Sequence, residues 1–146
     1  MGKVHILLVE DNEGDIMLTR EALNKSEILS ALNVVTDGWE AVQFLEKKGK
    51  YAEVVTPDII LLDINLPKMN GHEVLHSIKN NPVIQHIPVI MLTTSSYDLD
   101  IRKCYDNHAN CYITKPMDVN EFLKTIREIA DFWLNFVKLP LKINNE

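Results

Sequence analysis

Cysteine is almost missing from this chain. Cys104 and Cys111 are the only two in 146 residues, and their spacing fits neither a C-x-x-C redox pair nor a zinc motif. A disulfide scaffold and a zinc module are thereby excluded, and both thiols read as small apolar side chains. Glycine (5) and proline (6) are scarce, and no low-complexity or linker-like stretch or internal repeat divides the sequence. Basic excess is absent as well. Fifteen Lys and Arg face 21 Asp and Glu, a net charge of -6, and no basic stripe offers phosphate neutralisation, which argues against nucleic acid as a direct partner. The one basic cluster, Lys47-Lys48-Gly49-Lys50, reads as a solvated helix end that complements the helix dipole. No apolar run approaches membrane-spanning length, and Met1-Gly2-Lys3 leads into a strand without a signal-peptide pattern. No membrane partner and a cytoplasmic location are expected.

What is present is one domain's worth of chain, 46% hydrophobic and 25% charged. Short apolar runs alternate with helical patterns. Strands are expected at Val4 to Glu10, Asn33 to Thr36, Asp58 to Asp63, Pro88 to Leu92 and Cys111 to Thr114, mostly continuous buried-type runs. Helix starts are clearest at Asp37-Gly38, with that helix ending at Gly49, and at Asp118-Val119-Asn120-Glu121, a capping-box variant. Pro82 and Pro88 bracket a loop between the third helix and the fourth strand. Five βα units predict an α/β domain whose doubly wound, five-stranded parallel sheet is covered by helices on both faces.

The strand ends are chemically unusual. Val4–Val9 runs into Glu10-Asp11, and Ile59–Leu62 into Asp63, so two neighbouring strands would deliver three carboxylates to the carboxyl edge of the sheet, where such folds bind ligands. Like charges so close call for a cation, and Mg²⁺ suits one or two carboxylates plus waters and a phosphoryl oxygen. The fourth strand ends in Thr93-Thr94-Ser95-Ser96 and the fifth in Thr114-Lys115-Pro116. As chemistry, Asp63 reads as a nucleophile, Glu10 and Asp11 as metal holders, and Thr93 and Lys115 as the groups that receive a new dianion. Singly, each has a plainer reading: a capping or turn Asp, a loop Lys-Pro, strand-end Thr residues.

Together, Leu7-Leu8-Val9-Glu10-Asp11, Leu61-Leu62-Asp63-Ile64-Asn65-Leu66-Pro67, the Asn70-Gly71 turn, Pro88-Val89-Ile90-Met91-Leu92-Thr93 and Lys115-Pro116 resemble the receiver domain of two-component response regulators, over Val4 to about Phe136. The resemblance implies a flavodoxin-like (βα)5 fold with strand order 2-1-3-4-5. It implies that Asp63 accepts phosphate from a histidine kinase, that Glu10, Asp11, Asp63 and the main-chain carbonyl of Asn65 hold Mg²⁺, and that Lys115 bonds the phosphoryl group. By the same resemblance Thr93 senses the phosphate, Tyr112 changes rotamer, and the peptide before Pro116 is cis. Such a protein is a phosphorylation-driven signalling switch that catalyses only its own phosphorylation and dephosphorylation. Its signalling surface is built from the fourth helix, fifth strand and fifth helix. Glu10-Asp11-Asn12-Glu13-Gly14-Asp15, the stretch Glu46 to Pro57 and the tail Asp131 to Pro140 are similar to stand-alone regulators paired with cyanobacterial phytochromes. The expected organisation is a single receiver domain over 1–146, with 137–146 a C-terminal tail and no output domain. The alternative is a phosphate-independent adaptor of receiver shape. An aspartyl-phosphate hydrolase of the haloacid-dehalogenase type would need an acid where Asn65 stands.

Two further patterns bear on function. His72-Glu73-Val74-Leu75-His76 matches the zinc-protease H-E-x-x-H pattern. Helical geometry, however, centres Val74, Leu75 and Ile78 on the core face and turns both histidines toward solvent. In the last helix Phe122, Ile126, Ile129, Trp133 and Phe136 form a stripe sufficient to dock on the sheet. Leu123, Ala130, Leu134, Val137 and Phe132 widen the apolar surface beyond it. A homodimer through this helix, with Trp133 near the interface, is therefore expected.

Overall fold

The computed structural model describes residues 3–140. Five strands, β1 (Val4–Val9), β2 (Ser30–Val35), β3 (Ile59–Leu62), β4 (Val89–Thr93) and β5 (Cys111–Thr114), form one sheet in the order β2-β1-β3-β4-β5, every neighbouring pair parallel. Five helices connect and follow them: α1 (Glu13–Asn24), α2 (Gly38–Leu45), α3 (Gly71–Lys79), α4 (Asp98–Asp106) and α5 (Val119–Ile129). The α/β flavodoxin-like order predicted for the strands is the observed one.

The three central strands carry apolar residues on both faces because both faces are covered. Leu7, Val9, Ile60, Leu62 and Met91 meet Phe44 of α2, Leu75 and Ile78 of α3 and Cys104 of α4. Ile6, Leu8, Ile59, Leu61 and Leu92 meet Ala22 and Leu23 of α1 and Phe122, Ile126 and Ile129 of α5 on the other face. Each fully buried aliphatic side chain contributes roughly 1.5–3 kcal/mol of transfer free energy, so these two layers hold the sheet edge in place.

Helix starts are set by side chains that accept otherwise orphaned N–H groups. Asn12 accepts from the Asp15 N–H, Asp37 from Glu40 and Asp118 from Glu121, while the full reciprocal capping box belongs to Asn70 and Glu73. The second helix ends at Leu45 rather than Gly49. Lys47 and Gly49 both take positive φ (56° and 57°), which breaks the helical path, and a 3₁₀ turn follows at Gly49–Tyr51. The second strand starts three residues before the predicted Asn33, since β2 is an edge strand whose Ser30, Ala31 and Leu32 are only half-buried and show no buried run.

Beyond Ile129 the last helix widens into a π-helical segment, Ala130–Phe136, and this shift of phase corrects the predicted docking stripe. Ala130 is buried and Trp133 and Leu134 pack on the core, but Phe136 is 77% exposed and Phe132 50%. Phe136 therefore does not dock on the sheet. Of the tail 137–146, residues 141–146 lie outside the described residues.

Candidate functional site

Register alone brings the acids together. Val9 pairs with Leu62 across β1 and β3, so the next residues, Glu10 and Asp63, emerge side by side, and the Asp63 N–H donates to the Val9 carbonyl at 3.1 Å. Asp11 follows Glu10 into the loop, and one carboxylate oxygen from each of Glu10, Asp11 and Asp63 falls within a 4.8 Å group. Asp11 is exposed while Glu10 and Asp63 are buried. Asp63 is oriented by its own backbone, Oδ1 accepting from the Ile64 N–H at 2.7 Å, and Glu10 Oε2 accepts from the Asn12 N–H.

Two buried carboxylates side by side need a cation. Lys115 supplies one from the end of β5. Its Nζ donates to Glu10 Oε1, to Asp63 Oδ2 at 3.0 Å and to Asp15 Oδ2 at 3.0 Å. Burial pushes the Glu10 carboxyl up to about 7, against the hydrogen bond from Lys115 that holds it down. Burial would pull the Lys115 ammonium down, but the bond to Glu10 and the charges of Asp63 and Glu10 outweigh it and hold the ammonium above its ordinary range. Asp15 was not foreseen as part of the site. It sits one helical turn past Asp11, in the first turn of α1, and only the three-dimensional position of Lys115 makes it a partner.

The peptide before Pro116 is trans, as is every peptide bond among the described residues, which corrects the expectation of cis. Lys115 reaches the acids without it: its N–H donates to the Thr93 carbonyl at 2.7 Å, extending the β4–β5 ladder one residue and fixing the direction of the side chain.

Thr93 ends β4 fully buried, its Oγ1 accepting from the Ser95 N–H at 3.5 Å, and Tyr112 on β5 packs against the α2–α3–α4 side of the core with its hydroxyl donating to the Ser95 carbonyl at 2.8 Å. Asn65 lies two residues past Asp63 in an exposed loop position. That loop is held from both ends by close backbone approach. A Cβ on Gly71 would lie 2.1 Å from the Asp63 carbonyl oxygen, and one on Gly38 would lie 1.7 Å from the Met69 oxygen, so both positions exclude any side chain. An acidic, all-oxygen set of this kind fits a hard divalent cation, with Lys115 beside it to meet a dianion.

His72 departs from expectation. It is buried rather than turned to solvent, because α4 packs on the flank of α3 that faces it, and its Nε2 bonds Asp100 Oδ1 at 2.9 Å. His76 is exposed as predicted. With Nε2 already engaged by Asp100, His72 cannot share a metal with His76.

No helix among the described residues is long and apolar enough to cross a membrane. Comparison with known proteins agrees with the geometry. The chain is 44% identical over 135 residues to response regulator Rcp1 of Synechocystis sp., covering 92% of each chain, and 38% identical to a probable methanogenesis regulatory protein, FilR2, of Methanothrix harundinacea, covering 92% of this chain and 86% of that one. Among solved structures it is similar to the phosphorylated cyanobacterial phytochrome response regulator RcpA, with a TM-score of 0.94 at 44% identity over 96% of this chain and 100% of that one. It is similar also to the Mn²⁺-bound form of Rcp1, with a TM-score of 0.92 at 43% identity over 94% and 99%. Residues 6–127 match the response regulator receiver domain, and with the strand-end acids, the lysine and the strand order all in place, the chain belongs to that family.

Proposed function

We propose that this receiver accepts a phosphoryl group on Asp63 from a phosphohistidine of a sensor histidine kinase in the cytoplasm, and thereby switches between two states of a protein-binding surface. The observation that carries the proposal is the pairing of a buried Asp63 with Lys115 inside the three-carboxylate group. In the transfer an Asp63 carboxylate oxygen bonds to phosphorus, the phosphorus–nitrogen bond to histidine breaks, and its electron pair stays on the imidazole. Mg²⁺ would be held by Glu10, Asp11, Asp63 and the Asn65 main-chain carbonyl, and when bound supplies positive charge against the incoming phosphoryl oxygens. Lys115 then bonds a phosphoryl oxygen, Thr93 donates its hydroxyl to another, and Tyr112 follows through the β4–α4 loop.

RcpA is a cyanobacterial phytochrome response regulator by name, and a phytochrome-type kinase is the partner class we infer from that similarity. The output runs through α4, β5 and α5, with homodimerisation through the last helix. Support for that interface comes from the exposed Phe132, which lines a groove with Cys111 and Ile113 of the edge strand β5, and from the exposed Phe136, whose ring centroid lies 5.8 Å from that of Phe132.

Intact mass after incubation with acetyl phosphate and Mg²⁺ tests the proposal. One hydroxylamine-labile phosphoryl group is expected, absent with EDTA and absent in Asp63→Asn. Unchanged labelling of Asp63→Asn would refute the assignment, and an unlabelled parent protein would favour the phosphate-independent adaptor.

A further inference from the structure

The buried His72 leads to a set of bonds that the proposed phosphoryl chemistry leaves unused. His72 Nε2 donates to Asp100 Oδ1 at 2.9 Å, and the other Asp100 oxygen accepts from Ser95 Oγ at 2.6 Å. The Ser95 backbone then touches both residues read as the switch: its N–H points at Thr93 Oγ1, 3.5 Å away, and its carbonyl accepts from the Tyr112 hydroxyl at 2.8 Å. One continuous chain of hydrogen bonds thus crosses from α3 through α4 to the β4–α4 loop, and from there to β4 and β5.

We infer that His72, Asp100 and Ser95 are positioning residues, a relay that fixes the β4–α4 loop so that Tyr112 is already seated on the Ser95 carbonyl when phosphate arrives on Asp63. The inference rests on the reading of Asp63, Thr93 and Tyr112 given above.

Other uses of these three side chains are excluded by geometry. A nucleophilic serine of the triad type needs the imidazole on its hydroxyl, but here Asp100 stands between Ser95 and His72, so the imidazole cannot take the serine proton. Metal binding by the H-E-x-x-H pair is closed by Asp100 on one ring nitrogen and by the Cys104 Sγ, 3.6 Å from the other. Burial pushes the Cys104 thiol up to about 11, so it remains a thiol and a weak donor to the ring.

What the bonds do is hold an acceptor still. Asp100 is held below the ordinary carboxylate range by the hydrogen bond from Ser95 and next by that from His72, the mark of charge-assisted bonding at both oxygens. A second bond, from the Tyr97 N–H to Ser95 Oγ at 3.3 Å, ties the backbone two residues on to the same hydroxyl. α4 itself has no side-chain cap at Tyr97, so this cluster stands where a cap would otherwise order its start. Among the described residues the Thr93 hydroxyl receives only the long contact from Ser95, which leaves its own proton free for the phosphoryl group proposed on Asp63. A loop ordered in advance removes that ordering cost from the phosphorylated state, so loosening the relay must weaken the hold on a phosphoryl group.

The test is the affinity for beryllofluoride, a phosphoryl mimic, in the full chain with saturating Mg²⁺. Three variants are compared with the parent. His72→Leu removes the donor, Ser95→Ala removes the hydroxyl and its bonds to Asp100 and the Tyr97 N–H while keeping the Ser95 backbone N–H and carbonyl, and His72→Gln restores a donor at similar reach. His72→Leu and Ser95→Ala are expected to bind about tenfold more weakly, the size of one lost charge-assisted hydrogen bond. His72→Gln is expected within about twofold of the parent, and the Tyr112 ring resonances should shift in the first two variants and return in the third. Parent-like affinity and an unmoved Tyr112 signal in Ser95→Ala and His72→Leu, with only the melting temperature lowered, would overturn the relay and leave the phosphoryl-acceptor reading intact. A parent protein that binds no beryllofluoride would overturn both.

Discussion

Replacing Lys115 by methionine keeps most of the stem volume and deletes one charge, and its consequences can be worked from three bonds. The ammonium lies 3.0 Å from an oxygen of Asp63, 3.0 Å from one of Asp15, and is hydrogen-bonded to Glu10. Both Glu10 and Asp63 are buried, so removing the cation leaves two carboxylates facing each other without water to screen them. Breaking a buried ion pair from one side costs about 3–5 kcal/mol. Glu10, already pushed up to about 7 by burial, relieves part of this by taking a proton, which places the expectation near the lower bound, about 3 kcal/mol. For a chain of this size that is a fall of roughly 6–12 °C in Tm. Mg²⁺ should stabilise both proteins, the variant more than the parent. A ligand at a hundred times its Kd adds about 2.7 kcal/mol to a folded state. In the variant the ion also replaces the missing charge, so Mg²⁺ should close most of the gap with the parent. The assay is thermal unfolding followed by circular dichroism, with and without Mg²⁺. A Tm deficit that is the same in both conditions, or no deficit at all, would refute the argument that Lys115 holds the acid cluster together.

Gly71→Ala would push a methyl carbon to 2.1 Å from the Asp63 carbonyl oxygen, so the β3–α3 junction must yield by roughly 1.3 Å to reach ordinary contact. A cost of about 1–3 kcal/mol and a clearly slower acetyl phosphate reaction are expected, read by melting and by mass; unchanged values would show the junction is looser than drawn. Thr93→Ala should still take up phosphate, but with smaller backbone NMR shifts in α4 and β5, and equal responses would remove Thr93 from the switch. Sedimentation velocity across micromolar concentrations, with and without beryllofluoride, should show a dimer tightened by the mimic and weakened in Phe132→Ser; a strict monomer in both conditions would leave the exposed Phe132 and Phe136 to a different protein.

Legibility in the sequence followed burial. Strands covered on both faces read as unbroken apolar runs, so the sequence places β1, β3 and β4, and the acids that end the first two, within a residue or so, and β5 on its residues. From strand ends and a parallel order, the meeting of Glu10, Asp11 and Asp63 follows almost directly. The failures share a different cause. The start of β2 is hidden in the sequence because an edge strand needs no apolar run. Helical phase points His72 to solvent because it measures a residue against the sheet, whereas α4 covers α3 from the side and buries it. A constant 100° step docks Phe136 on the sheet, and the π-helical segment breaks that step. The expectation of a cis bond before Pro116 rested on resemblance, and the ladder bond from Lys115 to Thr93 aims the lysine without it. Asp15 had no signal of its own.

The span of the Lys115 bonds has a consequence for how the chain comes together. Glu10 and Lys115 are 105 residues apart, and Asp63 and Lys115 52 apart, so the cation belongs to the last βα unit while the acids belong to the first and third. On a growing chain β1 and β3 can pair long before β5 exists, and their pairing sets Glu10 against Asp63 without the lysine that later offsets them. Closing that distant loop is slow, so the partly made sheet must keep its acid edge open to solvent or protonated until β5 docks on β4. The same ammonium that would later greet a phosphate thus arrives first as the latch of folding, and the sheet is electrostatically complete only when its final strand is in place.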